Sequence, residues 1–207
     1  MNLLRKSIRF VNDYVRKNVL VPGIAVGVVF LVLAILSFFE TRLLPDEILR
    51  EIYATIQSVF AGANVLNSDG TLSFFGIFYH NLRAGVLITL SGFVPFLFLP
   101  VAGIVLNSVF LGSFLGIYSV FSNENMILMI AKYILPHGIF EIPALILQGA
   151  IGAKLCVVLC KKIFRKAKNE SFVYHVKGCL GSFVLYVIPL LIVAAFIEAV
   201  ILSALYL

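Results

Sequence analysis

The chain has 207 residues, of which 61% are hydrophobic and only 13% are charged, and its formal net charge is +6. A soluble domain is roughly half apolar and about a quarter charged, so this composition excludes the soluble class and indicates an integral membrane protein. The positive charge lies in two clusters that flank apolar runs. Membrane topology alone explains such clusters, so we expect one membrane domain over residues 1–207 and no nucleic-acid partner.

The N-terminal segment, residues 3–18, is predicted to be an amphipathic helix on the cytoplasmic face of the membrane. Apolar side chains such as Leu4, Ile8 and Val11 recur at helical spacing and are flanked by arginines. This pattern is typical of helices that lie in the membrane interface. Residues 19–39 follow as an apolar run of about 20 residues, the length that crosses a bilayer, and are predicted to form span 1.

Residues 40–73 are predicted to form an extracytoplasmic loop that contains a second amphipathic helix. Pro45 and the acidic residues after it suit the first turn of that helix. The chain is then almost continuously apolar as far as Phe121. We predict span 2 over residues 74–96 and span 3 over residues 99–121, joined by a tight cytoplasmic turn.

The next apolar segment, residues 126–135, is only ten residues long and is too short to cross a bilayer alone. It ends at Pro136-His137-Gly138, where proline interrupts a helix and glycine relaxes a turn. We therefore predict a re-entrant half-helix over 126–135 and a structural turn whose residues are Pro136, Gly138 and Pro143. Span 4 is predicted over residues 138–160, with Pro143 near its start.

Residues 161–177 form a basic segment, and residues 179–206 form a last apolar run, which is predicted to be span 5. Basic loops stay in the cytoplasm. The predicted fold is therefore an all-α, multi-pass protein of the plasma membrane. It has five transmembrane helices plus a re-entrant half-helix, with the N-terminus in the cytoplasm and the C-terminus outside.

Polar side chains within the predicted spans are candidate functional residues, because they are costly in lipid. Arg83, Glu141 and Glu198 fall at similar predicted depths, so we expect Arg83 to pair with Glu141 or Glu198 in one buried cluster that faces outward. Asn107 is expected to bond to a neighbouring helix. The predicted polar cluster consists of His80, Asn81, Arg83, Asn107, His137, Glu141 and Glu198.

Three interpretations of this cluster remain open. It forms a structural network that fixes how the spans pack, or it lines a transport path through a broken helix. In the third interpretation, His137 and Glu141 transfer protons in an intramembrane hydrolase. A zinc site needs three protein ligands, and this pair does not form an HExxH motif. We therefore predict no metal, no cofactor and no catalytic residue.

The motif from Pro136 to Ala144, read as PHGxxExPA, and the later stretch from Ala194 to Ala199, read as AAFIEA, resemble the stage II sporulation protein M family. The resemblance extends over residues 74–204. His80-Asn81 stands where the family has two asparagines, and Asn107-Ser108 stands where it has Asn-Gly. The resemblance implies a multi-pass membrane protein with no established catalytic activity, whose relatives work with cell-wall hydrolases, export ATPases or circular bacteriocin systems.

From these observations we expect a non-enzymatic membrane subunit that anchors or recruits partners in an envelope-remodelling or export assembly. Its expected partners are membrane lipids, a protein of the membrane or envelope, and an export ATPase. A small transporter or channel-like permease that uses the polar cluster is the alternative function, and an intramembrane hydrolase is the third.

The five-span topology predicts opposite sides of the membrane for Ser68 and Lys166. In a chain without its native cysteines, a cysteine at Ser68 should react in intact cells with an impermeant thiol reagent. A cysteine at Lys166 should react only after the membrane is opened. Labelling of both positions from the same side contradicts the topology.

Overall fold

A computed structural model of the chain describes residues 2–62, 72–122, 125–164 and 171–202, and these residues are helical almost throughout. The predicted all-α class is confirmed. Ser68, Lys166 and the middle of the predicted basic loop lie outside the described residues.

The N-terminal segment and the first apolar run form one continuous helical stretch. Helix α1 covers Asn2–Tyr14, a π-helical turn covers Val15–Val19, and helix α2 covers Leu20–Arg42. In α1, Leu4 and Ile8 are exposed, whereas Val11 is buried. The exposed apolar side chains near the start of α1 can contact lipid, whereas Val11, near the end of the helix, packs inside the protein.

Helix α3 covers Asp46–Gly62 and packs beside the end of α5, which covers Leu99–Phe121. The helix begins directly after Pro45, whose carbonyl oxygen accepts a hydrogen bond from the Leu49 amide at 3.1 Å. Leu49 is 1% exposed and packs in a small cluster with Ile117. The acidic first turn of α3 therefore lies at the same end of the molecule as the C-terminus of α5.

Helix α4 covers Phe74–Leu90 and ends in a 3₁₀ turn, Ser91–Phe93, before the chain reverses into α5. The Ser73 hydroxyl caps α4 by accepting a hydrogen bond from the Gly76 amide at 3.2 Å. In the reversal, Phe96 and Phe98 have φ values of 72° and 46°. The backbone of two bulky residues is therefore held in the left-handed region, which normally favours glycine.

The predicted turn at Pro136-His137-Gly138 is wrong, because the chain is helical from residue 126 to residue 163. Helix α6 covers Met126–Met129, a π-helical turn covers Ile130–Ile134, and helix α7 covers Leu135–Ile163. Pro136 lies in the first turn of α7, where an N–H group is not needed by the helix.

The predicted re-entrant half-helix is therefore replaced by an N-terminal extension of α7. Its ten apolar residues do not have to cross a bilayer alone. Helix α7 has 29 residues, and at a rise of about 1.5 Å per residue it spans roughly 43 Å, more than the hydrocarbon core. Pro143 does not lie near the helix start but inside α7, where it deprives the Ile139 carbonyl of its usual donor.

The C-terminal helical stretch contains two further π-helical turns, at Phe183–Val187 and Glu198–Leu202. Helix α8, Phe172–Ser182, precedes the first turn, and helix α9, Ile188–Ile197, lies between the two. The Ser171 hydroxyl caps α8 by accepting a hydrogen bond from the Tyr174 amide at 3.4 Å.

Helix α7 lies at the centre of the bundle and contacts α2, α4, α5, α8 and α9. Its buried face carries small residues, including Ala144, Gly149, Ala150 and Gly152, and these allow the neighbouring helices to approach closely. The core that includes Ala150 and Ile151 also contains residues of α1, α8 and α9.

Helices α2 and α5 run parallel and are in close contact through two glycines. A Cβ atom built on Gly112 would collide with the Ala34 carbonyl oxygen, and one built on Gly116 would lie 2.9 Å from the Phe38 carbonyl oxygen. The Thr41 hydroxyl also donates to Ser113 Oγ at 3.1 Å. The GxxxG motif at 112–116 thus serves packing inside the chain.

One end of the bundle, which we call the basic end, gathers the N-terminus of α8, the α4–α5 reversal and the C-terminus of α7. The Phe96 ring lies 5.6 Å from Phe164, and the Phe93 ring lies 6.4 Å from Phe172. Lys161 and Lys162 are in the last turn of α7 at this end. Helix α3, with its acidic first turn, lies at the opposite end.

Within the described residues, four helical stretches are long and apolar enough to cross a membrane: Leu3–Arg42, Leu99–Phe121, Leu135–Ile163 and Phe172–Val200. Helix α4 has only 17 residues, and its role as a span is treated below.

Substitution by alanine should have opposite effects on the melting temperature at Gly112, where two helices are in close contact, and at Gly138, where the backbone is helical. Gly138→Ala should keep or raise the melting temperature in detergent. Its Cβ would meet only ordinary contacts at 3.7 Å, and alanine is favoured over glycine in a helix by about 0.5–1 kcal/mol.

Gly112→Ala should lower the melting temperature, because overpacking costs about 1–3 kcal/mol. Thermal unfolding of both variants beside the wild type provides the measurement. A marked loss of stability in Gly138→Ala would show that position 138 needs the turn conformation.

Candidate functional site

Two helical stretches bring three ionisable side chains together: His137 and Glu141 on α7, and Glu198 directly after α9. Because α7 is helical through this region, His137 and Glu141 keep true i, i+4 spacing and lie on one face. His137 Nε2 lies 3.9 Å from Glu141 Oε2, and these side chains are 16% and 35% exposed. One ligand atom from each of the three residues lies within 4.8 Å of the others. We call these residues the HEE cluster.

The HEE cluster is half-buried and lies on helical elements rather than in a loop. Glu141 is six residues after the start of α7, roughly 9 Å along the helix axis. Beside it, an apolar groove between α5 and α7 is lined by residues such as Leu111, Gly138 and Ile142. The two carboxylates of the HEE cluster therefore lie next to an apolar groove that resembles lipid.

The structure does not join Arg83 to this cluster, so the predicted ion pair with Glu141 or Glu198 is wrong. Among the described residues, the ion pair formed by Glu141 is with His137. The reason lies in the register of α4 and α7. Gly85 packs against Gln148, so Arg83, two residues earlier on α4, is level with about residue 146 of α7, roughly 7 Å further along that helix than Glu141. Arg83 is also exposed on the outer face of α4.

The other predicted members of the cluster also lie apart from it, on α4 and α5. His80 is exposed and Asn81 is half-buried. Asn107 is exposed, and its side-chain amide donates to the Gly103 carbonyl of its own helix at 2.8 Å. The expected bond from Asn107 to a neighbouring helix is therefore wrong, because the amide is satisfied one turn back along α5.

A second buried polar group connects α1 to α8 and was not predicted. The Tyr14 hydroxyl lies 3.2 Å from His175 Nδ1 and 3.3 Å from Cys179 Sγ. Tyr14, His175 and Cys179 are 0%, 3% and 2% exposed. Gly178 makes room, because a Cβ atom there would collide with the Tyr14 ring. The i, i+4 spacing of His175 and Cys179 is visible in the sequence, but their partner 161 residues away is not.

The chemistry available to each group follows from its residue types. Imidazole and carboxylate groups bind metal ions and exchange protons, so the HEE cluster could hold a cation or a proton. Within the described part of the chain, it is the one group of three such side chains close enough to hold a metal ion. The group around Tyr14 is enclosed by protein, and its contacts fasten the N-terminal helix to the C-terminal one.

The all-helical bundle, with four stretches able to cross a membrane and ionisable side chains inside it, defines an integral membrane protein. A comparison with known families matches residues 20–201 to Stage II sporulation protein M. The chain therefore belongs to that family. No significant match was found among curated proteins or among solved structures.

The burial of Tyr14 predicts a difference between two tyrosines that both join the N-terminal helix to the C-terminal stretch. Tyr14→Phe removes a buried hydroxyl, and a lost hydrogen bond costs about 0.5–1.5 kcal/mol, or more if a partner is left unsatisfied. Tyr186→Phe is the matched control, because its bond to Asn12 Oδ1 at 2.7 Å is exposed.

We expect a clear fall in melting temperature for Tyr14→Phe and little change for Tyr186→Phe. Equal effects of the two substitutions would contradict a stabilising role for the buried group.

Proposed function

We propose that the chain is a non-enzymatic subunit of the plasma membrane that anchors or recruits partner proteins in an envelope-remodelling or export assembly. The observation that carries this proposal is the position of Arg83. A cationic side chain on the outer face of a membrane helix needs a partner, and the described part of the chain supplies no ion pair for it.

The outer face of α4 is apolar except for two residues. Phe75, Tyr79, Leu87 and Leu90 are 78%, 66%, 58% and 53% exposed. His80 and Arg83 are exposed among them. We call this face the α4 stripe; it consists of residues 75, 79, 80, 83, 87 and 90.

The depth of Arg83 makes its exposure costly. It is nine residues after Phe74, which is roughly 13 Å along the helix. An arginine at the centre of a membrane helix costs about 2.5–3.5 kcal/mol on the insertion scale. The side chain can reach the membrane surface only in part, so contact with another protein is the more favourable solution.

Asn107 on α5 extends the polar surface beside the α4 stripe. Gly103 packs against Ile88, so Asn107, one turn further along α5, lies at the level of residue 84 on α4. It is exposed as well. A partner helix that covers the stripe would therefore also meet an amide group, a common contact between membrane helices.

The proposed partner is a transmembrane helix that carries a carboxylate near the middle of the bilayer. Such a residue would neutralise Arg83, which is the usual arrangement of ionisable groups inside membranes. A membrane-anchored cell-wall hydrolase and the membrane domain of an export ATPase, the partners implied by the family resemblance, are both suited to provide such a helix.

This proposal includes the five-span topology. Helix α4 has 17 residues and the 3₁₀ turn that continues it has 3 residues. Together they reach the length of about 20 residues that suffices to cross a bilayer. Contacts between helices support alternating directions: α2 and α5 run parallel, and α7 runs opposite to both. With the basic end in the cytoplasm, the N-terminus lies inside and the C-terminus outside.

The alternative function, a small transporter or channel-like permease, is favoured by a different observation. The HEE cluster places titratable groups on α7 and at the end of α9, and such groups mark ion pathways in many membrane proteins. Flux measurements in proteoliposomes test this alternative directly.

The partner proposal predicts a cross-link that depends on the charge at position 83. A photo-reactive amino acid at Leu87, one turn from Arg83 on the α4 stripe, should cross-link a second protein in intact cells. Arg83→Leu should remove most of that product, because the attraction to the partner carboxylate is lost. Arg83→Lys should retain it.

Leu31 on α2, which is 57% exposed on a helix that packs against α5 and α7, provides the matched control position and should give no protein cross-link that responds to residue 83. Cross-links at Leu87 that contain only lipid or only a second copy of the chain would overturn the partner proposal.

A further inference from the structure

The HEE cluster has the composition and spacing of a metal site. We propose that His137, Glu141 and Glu198 bind a divalent transition-metal ion, with Zn²⁺ and Mn²⁺ as the best-suited ions. This goes beyond the partner-binding role and does not rest on it, because Arg83 and the α4 stripe take no part in the site.

The geometry requires only small movements to coordinate an ion. Three ligand atoms, one from each residue, already lie within 4.8 Å of one another. Ions of this class bind nitrogen and oxygen at about 2.0–2.2 Å, which places neighbouring ligand atoms roughly 3–3.5 Å apart. His137 Nε2 and Glu141 Oε2 are 3.9 Å apart, so this pair needs a shift of under an ångström. No pair of the three ligand atoms is more than 4.8 Å apart, so shifts of roughly 1–2 Å, within reach of side-chain rotation, close the site.

The ligands come from elements whose relative position is fixed by packing. His137 and Glu141 are one turn apart on α7, which is the central helix of the bundle. Glu198 begins the turn after α9, and α9 packs along α7. Buried Ala144 on α7 and Leu191 on α9 belong to the same core cluster. The carboxylate of Glu198 is thus held beside the other two ligands instead of being on a mobile loop.

Charge balance provides an independent reason for a cation. Two carboxylates lie close together within a helical bundle that spans apolar surroundings, where like charges repel strongly. Among the described residues, His137 is the one basic side chain that forms an ion pair with either carboxylate. Glu198 has no hydrogen bond or ion pair to any described group. A divalent ion would neutralise both carboxylates and use the imidazole as a neutral ligand.

The mixture of ligands indicates which ions fit. Imidazole suits zinc, iron, copper and nickel, and carboxylates suit manganese, whereas calcium and magnesium prefer sites built entirely of oxygen. Two carboxylates with one imidazole therefore favour zinc or manganese over magnesium. Three protein ligands also leave at least one coordination position for water or another small ligand.

Metal binding by purified full-length protein tests the proposal. The protein, with any affinity tag removed, is stripped with EDTA in detergent, incubated with Zn²⁺ or Mn²⁺ alone, separated from free ions and subjected to elemental analysis. We expect about one ion per chain and a rise in melting temperature on loading, because a ligand that binds only the folded state stabilises it. Mg²⁺ should bind much more weakly.

Three substitutions remove one ligand each: His137→Ala, Glu141→Gln and Glu198→Gln. Each substitution should weaken metal binding by at least about tenfold. Removing a residue that only hydrogen-bonds to a metal ligand already weakens binding by about that factor, so loss of a ligand itself should cost no less. The two glutamine variants keep the side-chain shape, so they should melt near the metal-free wild type and lose the shift on loading.

Glu47→Gln and Glu51→Gln are matched controls for the two glutamine variants, because both residues are exposed on α3, which packs beside α5. They should bind metal as the wild type does. The proposal is overturned if no stoichiometric ion is retained, if the three ligand variants retain it as well as the wild type, or if the controls lose it equally.

Discussion

The interior of a bilayer contains no water to satisfy polar groups, and this constraint explains the main features of the fold. Every backbone N–H group that crosses the hydrocarbon must find its partner within the chain. A free turn at Pro136–Gly138 would leave several such groups unpaired, whereas a π-helical turn followed by a new α-helical turn keeps the backbone bonded. Several side chains obey the same constraint: Ser108 and Ser182 donate to carbonyl groups of their own helices, and Ser91 donates to the Ile88 carbonyl at the end of α4.

Charged side chains face the same constraint and meet it in two ways. The HEE cluster places its charges toward other polar groups inside the bundle. Arg83 lies on the outer face, where its charge needs a group from outside the described chain. The partner proposed for the HEE cluster is a cation, and the partner proposed for Arg83 is a protein carboxylate. The polar residues of the spans therefore lie in two separate places, the HEE cluster and the outer face of α4, instead of in one buried network.

Composition was sufficient to predict the helical class, and the PHGxxExPA and AAFIEA motifs were sufficient to suggest the family. These features depend on the residue types alone or on neighbours along one helix. The turn at Pro136–Gly138 was predicted incorrectly because proline in a first helical turn and proline at a helix break look alike in sequence. The separation of Arg83 from Glu141 depends on the register of α4 against α7, set by Gly85 and Gln148, and no local pattern encodes that register.

Helix α4 links the two proposed sites physically. One face carries the α4 stripe with Arg83, and the helix also packs against α9 and the turn that begins at Glu198. A partner that draws α4 outward would therefore act on the same contacts that position the third ligand of the HEE cluster. Helix α7, by contrast, is held on several sides through glycine and alanine contacts, so His137 and Glu141 provide a fixed reference. Coupling between partner docking and ion binding would accordingly pass through the placement of Glu198, the ligand whose helix contacts α4.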